Sequence, residues 1–293
     1  MKNLKRVLCA VDIDDADRHV FAYALALARR SGASLLIVHA ASPVTALNVG
    51  ATRRVDFLRK LRVTAEGAGV DVRVTVQRGD VAGVILLHAT ARHPDLVVLG
   101  AGRRRHQGRF GSVAERVVRE ASCRTLVIPP TADPAASFGS VVCAVDFSPA
   151  SEAAVQEALR LRKQIDRGLT LLHVVEGPAP EDPSHYPWQA TQEYDRGIAA
   201  DALERLQRLI PPLDRGRVLS RVAVGSPVDE ILRTARAVDA ELLIIGARRR
   251  NRVAGGLFGQ TGLLLRRAIY PVLAVPQSAH VRTGQPERGN VAA

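Results

Sequence analysis

Short, nearly unbroken apolar runs recur through the first half of this chain: RVLCAV at 6–11, SLLIVHA at 34–40, VRVTV at 72–76, LVVL at 96–99 and TLVI at 125–128. Between them, at 16–30, 52–68, 81–92 and 112–121, apolar residues fall at helical spacing; Val20, Ala24 and Leu27 form such a stripe. Continuous apolar runs suit strands covered on both faces by helices. Strands joined through helices read as parallel βαβ units with right-handed crossovers. The pattern therefore predicts a five-stranded, doubly wound α/β unit.

The pattern is then written a second time. RVLCAVD, from residue 6, has its counterpart in SVVCAVD, from residue 140, so that Cys9, Asp12 and His39 match Cys143, Asp146 and His173 at a constant offset of 134. Farther on, Gly79 and Gly100 match Gly225 and Gly246 at an offset of 146, and CRTLVIP matches YPVLAVP near the ends of the two halves. A repeat of this length means two similar units. The expected organisation is a first domain over 1–130, a linker over 131–139 (TADPAASFG), a second domain over 140–277 and a mobile tail over 278–293. The twelve extra residues of the second half fall mostly in the proline-rich stretch after Val175. Its residues 176–190 are expected to be irregular and to lie over the second cleft, with Trp188 stacking on a base or pinning the loop.

Composition narrows the picture. The 293 residues suit two domains, and 47% are apolar, enough for two cores. No apolar run reaches the length of a membrane span, and the first residues, MKNLKRVLCAVD, do not look like a secretory leader. Three cysteines, Cys9, Cys123 and Cys143, are too few for a disulfide framework and point to a reducing cytoplasm. No Cys/His spacing suggests a metal site, and no nucleophile elbow or Walker lysine is present. Dedicated catalysis is therefore not expected, although weak ATP hydrolysis stays open. The net charge is +12, of which residues 1–138 carry +9. Such a balance favours phosphate-bearing partners in general. Aromatic residues make up only 4% of the chain, which counts against single-stranded nucleic acid.

The densest local signal is GAGRRRHQGRFGS, residues 100–112, which follows the fourth strand and leads into a helix. Glycines let a backbone curl around an anion, and a helix N-terminus presents free N–H groups and partial positive charge. In an open parallel sheet, ligands bind beyond the carboxyl ends of the strands near the switch point. Asp12 ends the first strand at that same edge, where it can accept ribose hydroxyls. It can equally cap the first helix, with Asp14 and Asp15 as rivals, just as Ser148 rivals Asp146. The loop itself is either an anion cradle or a solvated basic turn. His39 and His173 end buried strands and read as packed or backbone-bonded rather than catalytic, and Cys9 and Cys143 as small core residues.

The AVD after the first strand of each half, VHA and LHVV at the second strands, the glycine loop and the closing CRTLVIP and YPVLAVP together resemble a tandem universal stress protein over nearly the whole chain. The resemblance implies two tandem domains packed as an internal pseudo-dimer through their last strands. It also implies a stress-regulatory protein binding ATP or another adenine nucleotide, with or without Mg2+. Nucleotide-binding members carry a glycine, two residues, a second glycine, nine residues, then glycine with serine or threonine. In the first half Gly100, Gly111 and Ser112 match. Arg103 stands at the inner glycine, with Gly102 beside it, and the loop is two residues short. In the second half Gly246 and Gly259 keep their separation, but Arg249 replaces the inner glycine and Gln260 the hydroxyl residue, with Thr261 next to it. Carried across, Asp12 holds ribose, the backbone near Ala10 and Ala40 meets adenine, and Gly100, Gly111, Ser112 and Val113 surround the phosphates. Asp146, Val174, Gly246, Gly259 and Thr261 are the counterparts. Arg103 and Arg249 either grip phosphate or block it.

The first half is expected to bind better. The other readings are a nucleotide-free interaction scaffold with degenerate sites and, on charge alone, a nucleic-acid-associated protein. A regulatory protein partner is expected but not identifiable, and the chain is a monomer with an internal pseudo-dimer or a homodimer.

Overall fold

The computed structural model describes residues 4–13, 18–41, 50–102, 112–132, 138–162, 167–176, 188–247 and 260–277. The first half runs β1 (Arg6–Ala10), α1 (Arg18–Ser31), β2 (Ser34–Ala41), α2 (Gly50–Gly67), β3 (Val72–Arg78), α3 (Val81–Arg92), β4 (Leu96–Gly100), α4 (Ser112–Glu120) and β5 (Arg124–Ile128). The second repeats it as β6 (Ser140–Ala144), α5 (Pro149–Arg162), β7 (Gly168–Val175), α6 (Trp188–Arg208), β8 (Val218–Val224), α7 (Pro227–Ala237), β9 (Leu242–Ala247), α8 (Gln260–Arg267) and β10 (Val272–Pro276). β3 runs two residues past the expected end because Ala41 of β2 still pairs with Arg78.

All ten strands form one sheet in the order β3-β2-β1-β4-β5-β10-β9-β6-β7-β8. Within each half the pairings are parallel. The halves join through β5 and β10, which run antiparallel with Val272 opposite Val127 and Leu273 opposite Leu126. The expected pseudo-dimer is thus a continuous sheet. Two apolar edges that would otherwise be open to aggregation cover each other.

Alternate strand residues enter opposite core layers, as the pleat requires. Val7, Cys9, Val141 and Cys143 pack with α1, α2, α5 and α6, whereas Leu8, Val142, Val127 and Val272 pack with α3, α4, α7 and α8. The predicted α1 stripe is buried, with Val20, Ala24 and Leu27 all facing this core. Helix ends are set locally. Asp80 accepts from the Gly83 amide to cap α3, and His93 closes it in the left-handed region at φ 46°. Both are ordinary capping solutions for unpaired terminal groups.

One expectation is corrected. The stretch 176–190 is not irregular throughout, because α6 already begins at Trp188. Proline is absent from 188 to 210, so nothing in that sequence interrupts a helix. Residues 177–187, the tail from 278, and 133–137 of the linker lie outside the described residues. No described helix is long and apolar enough to cross a membrane.

Candidate functional site

Strand order reverses between β1 and β4, which pair in parallel with Val7 opposite Leu96 and Cys9 opposite Val98. This register brings the ends of both strands, and hence Asp12 and Gly100, to one edge of the sheet. Ala10 is buried in the strand, where it pairs with Val38. Asp12, two residues on, is exposed, and its Oδ1 accepts the Ile13 amide at 2.7 Å. Ala40 is half-buried on β2.

His39 locks the edge. Its Nδ1 lies 3.0 Å from the Val11 carbonyl, while the Val11 amide donates to the Val38 carbonyl at 3.0 Å. A carbonyl only accepts, so the His39 proton sits on Nδ1. His173 repeats this bond to the Val145 carbonyl at 2.7 Å. The two histidines thus fasten strand ends.

At β4, Gly100 pairs with Ile128 and the Ala101 amide donates to the Ile128 carbonyl at 2.9 Å. Gly102 turns the chain at φ 88°, in the left-handed region where glycine is at ease. The backbone resumes as a helix at Ser112, followed by half-buried Val113. Arg103 and Gly111 lie outside the described residues, as do Asp14 and Asp15. The site's first-half frame is therefore a carboxylate at the end of β1, a turning glycine at β4 and the start of α4.

The second edge differs. Asp146 Oδ1 accepts the Ser148 amide at 3.0 Å and the Ser148 hydroxyl, while Ser148 Oγ accepts the Ser151 amide at 3.2 Å. Ser148, rather than Asp146, therefore caps α5, and Asp146 braces the cap. Between them Phe147 adopts φ 57°. Its ring lies 4.5 Å from that of His173, and the Arg205 guanidinium carbon stands 4.0 Å from its centroid. Sequence reasoning did not single out Phe147 or Arg205. The only signal was the replacement of Ile13 by an aromatic at the repeated position.

Gly246 has a packing role. A Cβ there would lie 2.5 Å from the Ala150 carbonyl carbon and the Ser151 nitrogen. The first turn of α5 rests directly on the strand. Val174 is half-buried on β7, and Gln260 and Thr261 open α8. Arg249 and Gly259 lie outside the described residues.

Burial pushes the Cys123 thiol up to about 11 and raises that of Cys143 further. Neither thiol is a ready nucleophile near neutral pH. Among the described residues, no three His, Cys, Asp or Glu side chains cluster to hold a metal.

Fold and edge geometry define a class: tandem doubly wound α/β units with a glycine turn and a carboxylate at the switch point. The universal stress protein family model matches residues 3–129 and again 137–276, and the chain belongs to that family. It is 30% identical over 191 residues to Universal stress protein Rv2623 of Mycobacterium tuberculosis, a match covering 62% of either chain. It thus spans less than two thirds of that curated relative's length. Among solved structures, a universal stress protein from Archaeoglobus fulgidus aligns over 94% of this chain and 97% of its own, at 18% identity and a TM-score of 0.65. A putative universal stress protein from Pseudomonas aeruginosa aligns over 94% of each chain, at 16% identity and a TM-score of 0.62.

Proposed function

We propose that this protein is a stress-response regulator that binds ATP or a related adenine nucleotide, chiefly through its first half. The observation that carries this reading is the β1–β4 pairing, which sets Asp12 and the Gly100–Gly102 turn at one switch-point edge. A carboxylate there accepts ribose hydroxyls, and the start of α4 offers amide donors to phosphate. Adenine lies against the backbone near Ala10 and Ala40, and Arg103 pairs with phosphate from its side chain. Mg2+, where present, arrives on the phosphates. The role is binding rather than turnover, exercised in the cytoplasm through a protein partner.

A different reading is favoured for the second half. Phe147, just past the end of β6, packs against the tilted His173 ring and under the Arg205 guanidinium of α6, and Gly246 is committed to α5. That half serves mainly as a scaffold.

Calorimetric titration with ATP, AMP and cyclic AMP tests the proposal. Binding to wild-type protein is expected, with Asp12→Ala weakening it by about 1–3 kcal/mol through loss of a charged hydrogen bond. Gly111→Val is expected to abolish it. Absence of heat and of thermal shift with all three nucleotides would favour the scaffold reading for the whole chain.

A further inference from the structure

A cavity of about 770 Å³ opens at the opposite edge of the sheet, where β6, β7 and β8 begin. Three arginines line it: Arg162 from the end of α5, Arg167 before β7 and Arg217 before β8. We propose that this cavity binds an organic phosphate, with the phosphate on Arg167 and Arg217 and the apolar part against Leu219.

The three cations are not equally committed. Arg162 pairs with Asp214 at 2.5 Å, and both side chains are less than one fifth exposed. Its Nε is nevertheless buried without a hydrogen-bond partner. Arg167 meets Glu241 only at 3.7 Å, a loose pair. The Glu241 carboxylate is already engaged, since its Oε2 accepts the Gly139 amide at 2.8 Å. Arg217 is exposed and pairs with no described residue. The lining therefore offers two accessible guanidiniums beside a third that is anchored. Guanidiniums match phosphate oxygens in geometry as well as charge.

One apolar side chain of the lining argues against a bare ion: Leu219 stands 57% exposed. An exposed leucine beside two accessible guanidiniums suits a ligand with one charged and one apolar end. The first half has a recess at the corresponding place, of about 380 Å³, lined by Lys5, Arg29 and Asp71 among others. The fold thus leaves a hollow in both halves, but only the second widens it and lines it with three arginines.

Calorimetry at low salt, with phenyl phosphate and inorganic phosphate as probes, tests this. Phenyl phosphate is expected to bind wild-type protein at least tenfold more tightly than inorganic phosphate. The Arg167→Ala/Arg217→Ala variant is expected to lose at least tenfold in affinity. Arg59→Ala/Arg73→Ala, an equal charge change on the exposed surface of the first half, is expected to leave binding intact, as is Gly111→Val. No binding to wild-type protein overturns the proposal. So does equal loss in both arginine pairs, which would mark a general charge effect. Loss in Gly111→Val alone also overturns it, by placing the probe at the other edge of the sheet.

Discussion

Gly246 shows how one residue type serves different ends at repeated positions. Its place in the loop pattern suggests phosphate contact, but the space beside its α-carbon is filled by α5 backbone. Gly246→Ala forces a methyl group to within 2.5 Å of that backbone, which cannot retreat as a flexible side chain would. Overpacking of this kind costs about 1–3 kcal/mol, so urea denaturation should show a lower midpoint with an unchanged slope. Asp146 is tied to the turn that caps α5, and Asp12 accepts its neighbour's amide.

At the level of elements, helix termini and strand–helix contacts decide local stability. Ser148 closes α5 through the Ser151 amide, and Pro149 at the first helical position lacks only an N–H that would go unpaired. Ser148→Ala should destabilise the fold by about 1 kcal/mol, read from the denaturation midpoint. Between β3 and α3, His88 Nε2 donates to Gln77 Oε1 at 2.8 Å. Burial, aided by the nearby Arg92 charge, holds the His88 pKa below its ordinary 6.5. The folded state therefore prefers neutral imidazole. Its contribution is complete above pH 6.5, where both states are neutral. It falls as pH drops from there through the lowered folded value, because the unfolded chain takes up the proton first. Denaturation midpoints should decline between pH 7.5 and 5.5, and His88→Gln should flatten that decline.

Across the whole molecule, the two halves are held by more than the β5–β10 ladder. On one face Arg266 Nε donates to Glu115 Oε1 at 2.6 Å, joining α8 to α4. On the other, Arg124 of β5 meets Glu157 of α5, which also accepts from Arg160 at 2.9 Å. Glu157 is buried, and both arginines pair with its carboxylate. Among the described residues, Glu157→Ala leaves Arg124 with the Asp95 carbonyl at 3.1 Å. Removing one member of a buried pair costs about 3–5 kcal/mol. Arg124 keeps some solvent contact, so a loss near the lower end is expected, measured by urea denaturation of the full chain.

Much of this architecture was legible in residue order. Unbroken apolar strands, helical stripes and the repeat of Cys9, Asp12 and His39 at 143, 146 and 173 specify two doubly wound units, because periodicity and burial are local properties. That each histidine is packed or backbone-bonded was legible in the sequence, since a polar ring ending a buried strand needs a partner, and the structure selects the bond to the strand-end carbonyl. The joining of the units was expected only from the resemblance, and the antiparallel register of β5 on β10 belongs to the tertiary structure. So do the α5 backbone resting on Gly246, the contacts of Phe147 with His173 and Arg205, and the arginine-lined hollow at the amino ends of β6, β7 and β8. Each depends on residues far apart in the chain, and a periodic pattern carries no record of which distant surfaces will meet.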